Sequence, residues 1–272
     1  MGEQRRGRAD AARIGGRIRA TEARAEAAKA HGLTTQAIRG KDPRAAVQRD
    51  PGYAILEGIF DRVEMARSIE ALASAAVPRV RAGARHVLGL PEVRAIAEDG
   101  RLTRIAARFV GVSPVPFRAT LLDKSQHANW LVAWHQDTML PVRRRVDDPA
   151  WGSWSVKGGV LCGRAPAAVL ETVVALRVHL DDSTDANGPL RVLPGTHTRG
   201  ILTADAIARA TREIVPVACA AACGGVVAMR PLTIHSSAKS RDAQPRRVLH
   251  IEYAGCIDLG DGAELFDGRG AA

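Results

Sequence analysis

Aromatic residues are scarce in this chain, with four Trp, four Phe and two Tyr among 272 residues. The hydrophobic fraction is nonetheless 46%, normal for a globular core, and Ala and Val carry most of it. Wholesale disorder is therefore excluded, and the length fits one large domain or two small ones. Long apolar runs are also missing. The longest, VPVACAAACGGVVAM, is broken by Gly and falls short of the ~20 residues that a membrane helix needs. The N-terminus has no apolar stretch of signal-peptide type. The expectation is a cytoplasmic protein with no membrane partner. Cys162, Cys219, Cys223 and Cys256 make neither a CxxC pair nor a zinc-ribbon spacing, so they read as reduced, structural thiols of a reducing compartment. No internal repeat is visible.

The charge is uneven. Residues 1–50 carry 12 Lys/Arg against 6 Asp/Glu, whereas the remainder carries 27 against 23. The net charge of +10 is thus mainly a property of a basic arm, residues 1–48, read as a flexible N-terminal extension of the domain at 49–272. Such an arm fits a solvated tail or a loose helix. It could also meet nucleic acid by counterion release, although the near-balanced charge of the domain disfavours a nucleic-acid partner.

The folded part begins at GYAILEGIF, an extended entry. DRVEMARSIEALASAAV follows as a helix, with Asp61 as N-cap and Val63, Ala66, Ile69 and Ala73 at helical period, ended by Pro78. PEVRAIAEDG and LTRIAARFVG read as two short helices, each closed by Gly. After Pro116 the texture turns to short strands with Gly and Pro turns, interrupted by the helix LTADAIARATREI. A helical N-terminal portion followed by many strands predicts a mainly β fold. The expected form is a double-stranded β-helix, or jelly-roll, barrel with the helices packed on one sheet.

The chemistry centres on AWHQDTMLPV, Ala133 to Val142. If LVAWHQDT is a strand, His135 and Asp137 stand at i and i+2 and project from one face. His235 lies on a second strand, MRPLTIHSS, and PRRVL brings Arg246 eleven residues later. Two histidines and a carboxylate on adjacent strands can take one face of an octahedral ion, leaving positions open. The plain alternative is a buried His–Asp hydrogen bond, with His235 capping a loop.

WHQD, LDDSTDANGPLRVLPGTHTRG and RPLTIHSSAKSRDAQPRRVL, in that order, resemble the phytanoyl-CoA dioxygenase (PhyH) family of Fe(II)/2-oxoglutarate oxygenases. The likeness runs from about Gly52 to Ala254. It implies that His135, Asp137 and His235 are the metal ligands. It also implies that Arg246 grips the far carboxylate of 2-oxoglutarate, with the Ser237 hydroxyl beside it, and that Thr120 lies where relatives contact the cosubstrate. The implied cofactors are Fe(2+), 2-oxoglutarate and O2, and the implied reaction is hydroxylation of a small-molecule substrate, yielding succinate and CO2. In halogenating relatives a small residue stands at the carboxylate position, so Asp137 favours hydroxylation here. A non-catalytic iron and 2-oxoglutarate sensor on the same fold is the alternative.

Substrate contacts are harder to read. On FRATLLDK the residues Arg118, Thr120, Leu122 and Lys124 share one face; Arg118 or Lys124 could meet an anionic substrate. Arg177, in ALRVHLDD, needs a partner on a core strand. Asp181 or Asp182 could supply it, or a ligand could. Arg246 and Arg247 should face opposite sides of one strand, and Ser237 could simply cap a turn. His179 and His250 read as strand residues, and His197 as bracing a turn. Asn187 and Gly188 read as serving the turn after Asp182. The Trp-containing insert RRRVDDPAWGSWSVKGGVLCGRAPAA is either a loop over the barrel mouth or ordinary packing.

Overall fold

The computed structural model describes residues 50–268 apart from 78, 81, 112, 126, 127 and 243. The expected arm at 1–48 and the expected helix stop at Pro78 lie outside the described residues. Strand β1 (Tyr53–Leu56) leads to helix α1 (Arg62–Ser74), the short strands β2 (Arg79–Val80) and β3 (Gly83–Ala84), then helices α2 (Pro91–Ala97) and α3 (Gly100–Val110). The long strand β4 (Val115–Lys124) is followed by β5 (Val132–His135), β6 (Met139–Pro141), β7 (Gly152–Lys157) and β8 (Val160–Arg164). After the single turn α4 (Ala167–Leu170) come β9 (Val173–His179), β10 (Leu190–Val192), helix α5 (Ala204–Glu213) and β11 (Val217–Cys219). The chain closes through β12 (Val226–Met229), β13 (His235–Ser237), β14 (Arg246–Ala254), β15 (Asp258–Gly260) and β16 (Ala263–Glu264).

The strands form a jelly roll. A seven-stranded sheet runs β1-β12-β9-β14-β4-β3-β2, and a four-stranded sheet runs β11-β10-β13-β5. In β4, β9 and β14 alternate side chains face opposite ways. Ala119, Leu121, Val174, Leu176, Val178, Leu249, Ile251 and Tyr253 are buried with the helix residues Met65, Leu72, Val93, Leu102 and Ile105. Tyr253 also donates its hydroxyl to the Ala97 carbonyl at 2.8 Å, tying β14 to the end of α2. The other face of these strands points between the two sheets. At one side of that interior, Tyr53, Ile55, Val227 and Met229 meet Leu190, Val192 and Cys219 across the gap. The insert supplies β7 and β8, which extend β6 into the sheet β6-β8-β7, with Trp151 buried and stacked on Trp154 at 6.1 Å.

Helix α1 starts as expected. Asp61 accepts from the Glu64 amide and Glu64 accepts from the Asp61 amide, both at 2.8 Å, a reciprocal cap. Its buried face matches the one expected only at Ile69, which packs half-buried against the core. Met65, Ser68 and Leu72 are buried, while Val63 is 59% exposed and Ala66 and Ala73 face solvent. The long side chains of Met65 and Leu72 decide the face, because alanines add little burial wherever they fall. Met65→Ala should therefore cost about 2–5 kcal/mol, and Val63→Ala less than about 0.5 kcal/mol. Equilibrium urea unfolding checks this; equal losses would refute the assigned face.

Candidate metal centre and anion pocket

The two sheets bring His135, Asp137 and His235 together. β13 pairs antiparallel with β5, and His235 lies directly opposite His135. β5 ends at His135, so Asp137 is not a strand residue as expected. It reaches the same place because the connection after β5 is pinned down. The Gln136 amide donates to the carbonyls of Gly200 at 2.9 Å and Leu232 at 2.8 Å, and its oxygen accepts from the Leu202 amide at 2.8 Å. The Asp137 amide donates to the Pro231 carbonyl at 3.0 Å. Gln136 thus points away from the interior, and its two neighbours point into it.

One donor atom from each of the three residues lies within 4.8 Å of the others. The Asp137 carboxylate is 3.6 Å from His135 Nε2 and 3.4 Å from His235 Nε2. The Nδ1 atom of each imidazole sits on a carbonyl, Ala133 at 2.8 Å and Thr233 at 2.9 Å. Carbonyls only accept, so each Nδ1 carries the proton and each Nε2 keeps its lone pair for the centre. Burial pushes His235 down to about 4, against the pull of Asp137. Burial raises the Asp137 carboxyl, but His235 and then His135 outweigh it and hold the group far below the usual carboxylate range. The centre therefore presents a neutral His235 ring and an ionised carboxylate.

Two residues beyond His235, the Ser237 hydroxyl opens a second cluster. It takes a hydrogen bond from Lys124 Nζ at 2.9 Å and one from Arg246 Nη2 at 3.4 Å, and donates to the Gly188 carbonyl at 2.9 Å. Arg246 also donates from Nε to the Asn187 carbonyl at 3.2 Å, while its Nη1 is buried without a partner. Lys124 and Arg246 stand opposite each other across β4 and β14. Burial, and then the neighbouring guanidiniums, lower Lys124 to about 8; burial first and Arg177 next lower Arg246 to about 10. Gly188 is required at its turn: φ is +69°, and a Cβ would come within 2.3 Å of the Ala238 carbonyl oxygen. Arg247 faces the other way and pairs with Asp181 at 2.8 Å.

The inner face of β4 and β14 carries further polar residues. Arg118 stands opposite Glu252, which takes both arms of its guanidinium, Nη2 to Oε1 at 2.6 Å. Thr120 stands opposite His250, and Arg177 opposite His250 from the other side. Arg177 pairs with neither Asp181 nor Asp182; the latter holds Arg62 at 2.8 Å. His179 is 1% exposed, with both ring nitrogens unpartnered. His197 lies 3.9 Å from Asp50, outside this cluster. Glu252, His179 and His250 were not singled out as site residues from sequence. The signal available was parity: they share the inner face with Arg177 and Arg246.

A jelly roll with two imidazoles and a carboxylate converging between its sheets, beside a cluster of buried cationic side chains, defines the class of non-haem Fe(II)/2-oxoglutarate oxygenases. The chain belongs to the phytanoyl-CoA dioxygenase (PhyH) family, whose sequence model matches residues 48–248. It is 30% identical over 182 residues to L-proline trans-4-hydroxylase from Streptomyces griseoviridis, covering 56% of this chain and 59% of that enzyme. It thus spans about three-fifths of that relative's length. Its fold is similar to EctD from S. alaskensis with 2-oxoglutarate and 5-hydroxyectoine (TM-score 0.59, 21% identity, 82% of this chain and 79% of that one). It is also similar to the non-haem alpha-ketoglutarate-dependent epimerase SnoN from nogalamycin biosynthesis (TM-score 0.56, 22% identity, 82% and 83%). No helix among the described residues is long and apolar enough to cross a membrane.

Gln136 makes three buried or half-buried hydrogen bonds to backbone groups. Truncation to Ala leaves those groups without their partner, so Gln136→Ala should lower stability by about 2–4 kcal/mol. Urea unfolding of the variant checks this; a loss under about 0.5 kcal/mol would mean the connection holds without it.

Proposed function

We propose that this protein is an Fe(II)- and 2-oxoglutarate-dependent dioxygenase that hydroxylates a small organic molecule. The observation that carries the reading is the convergence of His135, Asp137 and His235, with one donor atom of each within 4.8 Å of the others and both Nδ1 protons fixed on carbonyls. Two imidazoles and one carboxylate would hold Fe(II) on one side and leave positions for a chelating 2-oxo acid and O2. Bound Fe(II) and 2-oxoglutarate supply the oxidising chemistry, in which the cosubstrate becomes succinate and CO2 and one oxygen atom enters a substrate C–H bond.

The remaining work falls to the chain's own groups. Arg246 keeps a buried, unpartnered Nη1, the kind of orphan donor that a carboxylate satisfies. Ser237 and Lys124 would complete the grip on the remote carboxylate, with Thr120 on the same wall. Ser237 follows His235 by two strand residues, roughly 7 Å, a spacing suited to a five-carbon diacid that spans metal and guanidinium. The Trp130 ring lies 5.3 Å from Lys124 Nζ. The relative that hydroxylates L-proline supports a small-molecule substrate.

Anaerobic addition of Fe(II) and then 2-oxoglutarate to the apoprotein tests the reading by visible absorption. The wild type should develop a charge-transfer band, and His135→Ala should not. Arg246→Ala should need on the order of 100-fold more 2-oxoglutarate. Equal metal uptake by all three without a band would sink the oxygenase reading.

A further inference from the structure

Arg177 has no use in the scheme above, and its surroundings make it unusual. It is 6% exposed, on the inner face of β9, with its Nε buried and unpartnered. The carboxylates nearest in sequence or on the facing strands are engaged elsewhere: Asp181 with Arg247, Asp182 with Arg62, and Glu252 with Arg118. Among the described residues its one hydrogen-bond partner is His250, whose Nδ1 lies 3.1 Å from Arg177 Nη1. Arg is a donor only, so His250 Nδ1 accepts and its proton sits on Nε2. That atom is turned towards Glu252 at 3.9 Å. His250 thus holds Nη1 of Arg177 and leaves the Nε–Nη2 edge free. That edge is the two-donor fork which matches a planar carboxylate.

The charge balance of the interior points the same way. The inner wall carries Arg118, Lys124, Arg177 and Arg246 as cations, against Asp137 and Glu252. Fe(II) and dianionic 2-oxoglutarate cancel each other, so a loaded site keeps an excess of positive charge. The cosubstrate's far carboxylate would meet Arg246 and Lys124. Arg177 faces the interior with no carboxylate in ion-pair contact, and a buried cation so placed is costly.

We infer that the substrate carries a carboxylate, and that Arg177 binds it through its Nε–Nη2 edge. This rests on the oxygenase reading and assigns the substrate class within it: small carboxylic acids, amino acids included. Arg118 is not a rival anchor, because Glu252 neutralises it. His250 holds the guanidinium through Nη1.

The test uses the full-length protein loaded anaerobically with Fe(II) and 2-oxoglutarate. The probes are small carboxylic acids, L-proline among them, and the primary amide of each. Binding is read from perturbation of the visible band and from the melting temperature. At least one acid should perturb the wild-type band and raise the melting temperature, while its amide does neither. Arg177→Gln should weaken that acid on the order of 100-fold and change half-saturation by 2-oxoglutarate less than about threefold, and Arg177→Lys should recover part of the loss. Should Arg177→Gln melt without a cooperative transition, Arg177→Lys alone decides, with a loss of about tenfold for the acid. Amides that bind as well as acids would overturn the assignment. So would acid binding untouched in both variants, a loss confined to 2-oxoglutarate, or a wild type with an intact band that no acid perturbs. A wild type without any band fails at the metal step, which sinks the oxygenase reading and this assignment with it.

Discussion

Everything in this molecule hangs on the two-residue alternation of β4, β9 and β14. One set of side chains, Leu121, Leu176, Val178, Leu249 and Ile251 among them, is buried against the helices. The other set places Arg118, Lys124, Arg177, His179, Arg246, His250 and Glu252 between the sheets. A slip of one residue in any of these strands would send guanidiniums into the helix layer and leucines into the site. Register and function are therefore the same constraint. The apolar face supplies the burial energy that lets the polar face stay charged.

The facing sheet solves a different problem, the aim of three ligand side chains. β13 and β5 are short strands of three and four residues, too little ladder to orient rings by themselves. Local hydrogen bonds complete the job: each Nδ1 finds the carbonyl two residues earlier in its own chain. Gln136 fixes the backbone from the opposite side. The His-x-Asp spacing therefore owes its effect to the middle residue as much as to the outer two.

Much of this was legible in sequence. The strand-and-turn texture after Pro116 and the three preceding helices predicted a jelly roll with helices on one sheet, and that is the architecture found. The shared face of Arg118, Thr120, Leu122 and Lys124 followed from period alone, because β4 is long and regular. What could not be read depended on contacts between distant segments. The end of β5 at His135 is set by Gln136 reaching Gly200 and Leu232, which no local pattern records. Arg177 looked as if it had acids at hand four and five residues later, yet Asp181 and Asp182 lie beyond the end of its strand and hold Arg247 and Arg62. The face of α1 was misread because alanines mimic an apolar stripe without contributing burial.

The buried cations show why such a cluster is held inside a stable frame. Lys124, Arg177 and Arg246 are buried, at 1%, 6% and 2% exposure, with no carboxylate in ion-pair contact among the described residues. Each such group costs on the order of several kcal/mol to bury, and hydroxyls, carbonyls and imidazoles offset only part of that. If, as proposed, anions occupy this cluster, their binding would offset part of that cost. Relaxation could remove the cost only by turning the side chains outward, and the strand ladder forbids it: each cation is flanked by ladder hydrogen bonds and backed by the helix-packed leucines. The hydrophobic face of the sheet therefore does more than stabilise the fold. It holds the cations fixed between the sheets, the kind of arrangement that electrostatic preorganisation requires.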